Sequence, residues 1–163
     1  VAMANDYTRQ VSQRWAPRKS DQVGFADGYN FLLISQESLD DLNKRLPKQL
    51  PVSRFRPNIV LSGIKTPYEE DQMKTIKIGN VTFDVVKPCI RCVITTIDQE
   101  KGIRGLKEPL ATLAKYRMTK LKTGDKGGIL GQNLVHQNTG IISLGDSIQV
   151  LETQAPPVFL NIA

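Results

Sequence analysis

The two cysteines of the chain lie three positions apart in the stretch Val85-Val86-Lys87-Pro88-Cys89-Ile90-Arg91-Cys92-Val93-Ile94-Thr95-Thr96-Ile97-Asp98. A thiolate, not a thiol, is the nucleophile and the metal ligand, and nearby cations lower its pKa. Lys87 and Arg91 are the cations this segment offers. The β-branched runs on either side suit pleated, half-buried strands, while Pro88 cannot donate to a ladder and so marks a strand end, edge or bulge. Both thiols are therefore expected where one strand is interrupted and the next begins, with one sulfur binding a metal.

Several familiar cysteine chemistries do not fit. A structural zinc site needs four ligands, and apart from carboxylates only Cys89, Cys92 and the lone His136 are available. An iron–sulfur cluster usually takes four cysteines. A thioredoxin-type pair wants its first cysteine at a helix N-terminus within a βαβ pattern, which the Val/Ile/Thr run after Cys92 contradicts. A cysteine hydrolase needs a histidine base, and His136 sits in a strand pattern where a structural or exposed role is expected. Two buried thiols without chemistry fit, and so does a thiolate on a soft metal held mainly by another ligand, such as a dithiolene. In the second case a basic pocket would hold the cofactor's phosphate.

Arg54-Phe55-Arg56-Pro57-Asn58 offers such groups at the entrance to a strand ending at Gly63. Guanidinium suits bidentate phosphate or carboxylate recognition, although arginines flanking an aromatic are also common on plain surfaces.

The elements that must position these residues are short. Phe31–Ile34 reads as a buried strand after an Asp27-Gly28 turn. Ser35 is a good N-cap for a helix whose Leu39, Leu42 and Leu46 make one apolar stripe, stopped by Pro47. Residues 64–74, with Glu69, Glu70 and Asp71, read as a solvated acidic turn. Thr75–Val86 reads as a hairpin turning at Gly79-Asn80. Glu108-Pro109 opens a second helix running to about Arg117. Residues 119–128 read as a mobile Lys- and Gly-rich loop, Gly131–Val135 as a strand entry, and Ile141–Leu151 as two strands about Gly145-Asp146. The fold class expected is α+β and β-rich, a closed or nearly closed β-barrel of short strands with two or three flanking helices.

The totals bound the function. A chain of 163 residues with 40% hydrophobic and 23% charged residues is one ordinary globular domain. No apolar run approaches the roughly 20 residues that cross a bilayer, and the N-terminus is not a signal peptide. A start at Val1 suggests a chain cut from something longer. Two cysteines make no secreted disulfide framework, so the cytoplasm is the expected compartment. The net charge of +6 is spread along the chain and aromatics are 6%, so a phosphate-bearing small ligand is expected ahead of nucleic acid, whose single strands need stacking aromatics.

Taken together, FADGYNFLLIS (25–35), SLDDLNKRL (38–46), FRPNIVLSG (55–63), KPCIRCVITTID (87–98), EPLATLAKYR (108–117), GQNLV (131–135) and Gly145-Asp146 resemble the MOSC domain, most closely in bacterial YcbX-type proteins and the mitochondrial amidoxime-reducing component. The resemblance implies a MOSC domain over 25–152. Residues 1–24 would be an arm or linker from an upstream barrel part, and 153–163 a tail or linker. It implies binding of molybdenum as the molybdopterin cofactor, with Cys92 as metal ligand and catalytic group. Arg56, Asn58 and Arg91 match cofactor-pocket residues, Gly28 and Tyr29 match a pocket loop more loosely, and Asn133 falls where some relatives carry an aromatic. The implied activity is reduction of small N-hydroxylated substrates, with electrons from a ferredoxin-like [2Fe–2S] domain or a flavoprotein reductase. As a domain alone, the chain would be a fragment of a molybdenum-dependent oxidoreductase, inactive without its other parts. The alternative is a sulfur-carrier or sulfur-transfer module using a persulfide on Cys92 or Cys89.

Overall fold

Ser35 is where the first strand hands over to the first helix. A computed structural model describes residues 9–24, 26 and 28–160 of the chain, so Phe25 and Asp27 of the expected turn lie outside the described residues. Strand β1 (Phe31–Ser35) runs into helix α1 (Gln36–Arg45), and Ser35 Oγ accepts from the Ser38 amide at 3.1 Å. That bond satisfies one of the free donors at a helix start. Leu39 and Leu42 bury the predicted stripe against Phe55, Leu113 and Leu130.

Strand β2 (Ile59–Leu61) follows, then β3 (Met73–Ile78) and β4 (Val81–Ile90), joined at Gly79-Asn80 as the sequence predicts. Helix α2 (Leu110–Tyr116) leads into β5 (Met118–Lys120), β6 (Lys126–His136) and β7 (Ile148–Thr153). The sheet order is β2-β1-β6-β4-β3-β7, with β5 added to β6. β1 and β2 are parallel, and the other pairs are antiparallel.

The sheet is β-rich with two α-helices among the described residues, as expected, but it is open and not a closed barrel. β2 and β7 are edges that do not meet. The edges are managed locally: β2 is only three residues long, and β7 carries Glu152 paired with Lys74 at 2.7 Å. Short strands and charge are the usual protections for an unpaired edge.

Four local expectations are corrected. Val93–Thr96 is a 3-10 turn instead of a strand. The hydroxyls of Thr95 and Thr96 donate back to the carbonyls of Cys92 and Val93 at 2.9 and 2.7 Å, giving the backbone an alternative to a ladder. Residues 119–128 are mostly the β5–β6 hairpin. Its glycines serve close packing, since a Cβ on Gly128 would lie 2.8 Å from Leu113 Cβ in α2. Of Ile141–Leu151 only the part from Ile148 is a strand; Ser143–Asp146 is the predicted corner, its Ser143 amide donating to Asp146 Oδ2 at 2.8 Å. The acidic turn is not solvated: Glu70 is 0% and Asp71 3% exposed.

Glu70 ties the turn before β3 to the β1–α1 junction. Glu70 accepts from the Ser35 amide and hydroxyl at 3.3 and 2.9 Å, at the β1–α1 junction. Burial pushes its carboxyl above the ordinary range, partly opposed by hydrogen bonds from Ser38 and Ser35. A raised folded pKa means the protonated form is favoured by folding. The stabilisation is then complete below the unfolded value and is lost as pH rises through the folded one. Glu70→Gln keeps an oxygen for the Ser35 amide and removes the charge. It should raise the midpoint of thermal unfolding at pH 7.5, with the gain vanishing near pH 4.

Residues 9–24 fold back onto the sheet. Val11 and Val23 bury against Val135, and Arg18 reaches Asp84 Oδ2 at 2.8 Å and the His136 carbonyl at 2.9 Å. Within β6, Gly131 has φ +80°, and a Cβ there would meet the Leu33 carbonyl oxygen at 2.5 Å. Gly131→Ala should cost on the order of 2 kcal/mol through the left-handed backbone alone, and more through that contact, measurable by urea unfolding.

Candidate functional site

Cys92 caps the 3-10 turn at the far end of β4, where the strand has left its ladder. Its side chain is exposed, and Cys89, still within β4, is half-buried. Both are free thiols. The expected break between two elements is thus present, with a turn in place of the second strand. The ladder to β6 slips between Val85 and Lys87 and again between Pro88 and Ile90, so Pro88 sits between two irregularities as its missing donor requires.

Arg91 joins the two sequence motifs. Its Nη1 lies 3.0 Å from Cys89 Sγ, and its Nη2 donates to the Phe55 carbonyl at 2.7 Å. The guanidinium also lies over the Phe55 ring, 5.5 Å from its centre. One side chain therefore brings the cysteine segment and the Phe55-Arg56-Pro57-Asn58 segment together across 36 positions of sequence. Its backbone amide is held by the Gly128 carbonyl at 2.9 Å, and its Nε is buried without a partner.

Arg56 is the next residue of that wall. It is exposed, has φ 55°, and closes the 3-10 turn Val52–Phe55, its amide donating to the Ser53 carbonyl. A non-glycine residue in the left-handed region is held there at a cost and is worth notice. Among the described residues no hydrogen bond engages its guanidinium. Arg54, grouped with it by sequence, points elsewhere: it is 8% exposed and faces Asp98.

The remaining candidates are spread more widely. Asn58 Oδ1 accepts from the Leu32 amide at 2.9 Å, and its own amide donates to the Leu32 carbonyl, so this residue fastens β1 beside the arginine wall. Asn133 lies opposite Lys87 at the β4 bulge and donates to its carbonyl at 3.2 Å. Tyr29 packs with Val11, Val23 and Val86, and burial pushes its phenol up, opposed by a hydrogen bond with Ser12. The Lys87 ammonium lies 6.0 Å from the centre of the Tyr29 ring, 5.9 Å from that of Trp15 and 3.8 Å from Asp125. Gly28 is half-buried with open space at its Cβ position. The structure thus brings Cys89, Arg91 and the Phe55–Arg56 turn together, with Cys92 following Arg91 in the chain. Tyr29, Lys87 and Asn133 form a second group along β4.

Two cations expected beside the reactive sulfur are committed differently. Arg91 reaches Cys89, not Cys92, and Lys87 turns toward Asp125 and two rings. His136 is structural: its ring stands edge-on to Phe31 and its Nδ1 is buried without a partner. Sequence reasoning missed the buried set Asp71, Arg117 and Gln132, because nothing in residue type marks which acidic turn will be covered. Among the described residues no three His, Cys, Asp or Glu side chains converge on a common point. A metal at Cys92 would therefore need most of its ligands from outside the protein.

This arrangement fits the donor set of a cofactor-borne metal: one exposed soft sulfur, an exposed arginine on the turn that Arg91 reaches, and a buried arginine nitrogen without a partner. The family model described as "MOSC domain" matches residues 20–149, and the chain belongs to the MOSC domain family. It is 41% identical over 145 residues to human mitochondrial amidoxime-reducing component 1, covering 87% of this chain and 42% of that protein. It is 46% identical over 97 residues to rat mitochondrial amidoxime reducing component 2, covering 60% and 28% respectively. It is 44% identical over 111 residues to Arabidopsis thaliana molybdenum cofactor sulfurase, covering 61% and 13%. The chain spans less than half the length of each of these relatives. No helix among the described residues is long and apolar enough to cross a membrane.

Proposed function

We propose that the chain is the molybdenum-cofactor-binding domain of an oxidoreductase that reduces N-hydroxylated compounds, with Cys92 as the metal's protein ligand. The observation that carries this is the Arg91 bridge, which ties Cys89 of the cysteine segment to the Phe55 carbonyl, one residue before Arg56. The relatives named for amidoxime reduction and for the molybdenum cofactor support the chemical class. When bound, the cofactor supplies two-electron chemistry at molybdenum. The chain's part is to present a thiolate at Cys92, anchor the cofactor's phosphate with Arg56, and fix the mutual distance of both through Arg91. Asn58 and Asn133 keep β1 and the β4 bulge in place behind that surface. The reaction cleaves the substrate N–O bond, taking up two electrons and two protons and releasing water.

The electrons would come from a redox partner, a ferredoxin-like [2Fe–2S] domain or a flavoprotein reductase. Two free cysteines suit a reducing compartment, the cytoplasm on the sequence reading. The test uses the parent protein loaded with molybdenum cofactor and given benzamidoxime and a viologen reductant. Benzamidine should accumulate. Full molybdenum occupancy with no product would overturn the reading.

A second reading is favoured by the exposed Cys92 thiol and by the relative named a sulfurase: Cys92 or Cys89 carries a persulfide sulfur to a metal centre. Mass spectrometry after exposure to a sulfur donor separates the two. A labile gain of one sulfur atom, abolished by Cys92→Ser or by Cys89→Ser, supports the carrier.

A further inference from the structure

A cleft among the described residues opens on the flank of the same two segments, and Cys92 does not line it. It has a volume of about 400 Å³ and lies between residues 48–54 and 98–106. That volume falls in the range of small-molecule sites, roughly 300–1,000 Å³. Its buried cation is Arg54, whose side chain is 9% exposed and lines the cleft among several other polar residues. Among the described residues the guanidinium has one partner, Asp98, at 3.5 Å. A guanidinium carries five donors in a fixed fork, so a buried one with a single long contact is underused. None of its nitrogens is sealed off without a partner, so the remaining donors stay accessible to a ligand, and a bidentate carboxylate is the partner whose geometry matches the fork.

The walls around it are built, not incidental. Gln99 Nε2 donates to the Arg54 carbonyl at 3.4 Å, and Asp98 holds the opposite loop by accepting from the Lys101 amide at 3.1 Å. Leu50, Pro51, Ile103 and Leu106 form an apolar half, and Ile103 and Leu106 are 49% and 45% exposed. Lys48 and Lys101 stand on the rim with Glu100, so cations outnumber carboxylates around the cleft once Arg54 and Asp98 are included. An apolar wall with a buried cationic fork at one end selects an amphipathic anion.

We propose that this cleft is a binding site for small aryl or alkyl carboxylates, with Arg54 as the anion anchor and Ile103 and Leu106 as the apolar platform. The Arg54 turn continues into Arg56, and the Asp98 loop continues back through the 3-10 turn to Cys92. A bound carboxylate would therefore lie against the same two segments that carry Arg56 and Cys92, although neither residue lines the cleft. The site does not depend on the metal, and its test uses the chain without cofactor.

The probe is 2-naphthoate, titrated into the chain and followed by amide NMR shifts, with the neutral 2-naphthamide as control. Saturable shifts should map to residues 48–54 and 98–106. The amide should bind at least about tenfold more weakly, the loss of one charge-assisted pair. Arg54→Gln should weaken naphthoate by a similar factor. If that variant does not fold, Ile103→Glu decides, because an exposed rim residue leaves the fold intact while setting a carboxylate against the anion. Equal binding of naphthoate and naphthamide, undiminished binding to a folded Arg54→Gln or to Ile103→Glu, or no saturable shift up to the solubility limit would each overturn the proposal.

Discussion

Arg117→Leu should be among the most damaging single substitutions in this chain, lowering stability by about 3–5 kcal/mol. Arg117 and Asp71 are each 3% exposed, and their ion pair closes at 2.7 Å. Asp71 also accepts from Gln132 Nε2 at 2.6 Å, and the Arg117 guanidinium lies 3.9 Å from the centre of the Tyr68 ring and 4.6 Å from that of Phe159. Removing the cation strands a carboxylate away from water, while the pair as a whole contributes little beyond what hydrophobic packing could supply. The double variant Arg117→Leu/Asp71→Leu should therefore recover part of the loss. For a chain of this size the single variant corresponds to a fall in melting temperature on the order of 10 °C. Calorimetry with urea titration checks it. A change under about 1 kcal/mol would show that the pair behaves as a solvent-screened surface pair instead of a buried one.

The second large effect is expected at the cysteine segment in the cofactor-loaded parent protein. Cys92→Ala should abolish molybdenum retention and turnover, because the variant offers no soft ligand in its place. Arg91→Lys should keep the fold and a positive charge but lose the double reach to Cys89 Sγ and the Phe55 carbonyl. Lysine is a point charge on a flexible stem and cannot replace a planar fork. Residues that orient a metal ligand typically contribute about 10–100-fold in metal affinity or activity, and Arg91→Lys should fall in that range with an unchanged unfolding midpoint. Cofactor occupancy by metal analysis and turnover by product chromatography give the two readouts. A loss of stability matching the loss of cofactor would assign Arg91 a purely structural role.

Much of this was legible in the residue order. The Ser35 cap, the Leu39/Leu42/Leu46 stripe and the Gly79-Asn80 hairpin are decided by contacts within a few residues, and each formed where its pattern lies. The β-branched run after Cys92 misled because β propensity describes fit to a pleated surface. Two threonine hydroxyls found backbone carbonyls first. Glycines 127 and 128 suggested mobility but mark close approach of Ile90 and Leu113, a fact of tertiary packing. Barrel closure was out of reach for the same reason, since it depends on whether β2 and β7 meet. At the site, residue types singled out the two segments that Arg91 joins. They could not show that Arg91 would turn to Cys89, or that Arg54 would be buried while Arg56 stayed open.

The proposed function requires Cys92 to be the sulfur that the protein gives to the metal. Molybdenum X-ray absorption on the parent protein, compared with its Cys92→Ser and Cys89→Ser variants, measures that directly. One sulfur scatterer should disappear from the metal's nearest shell in Cys92→Ser and remain in Cys89→Ser. An unchanged shell in Cys92→Ser, or a sulfur lost only in Cys89→Ser, would contradict it.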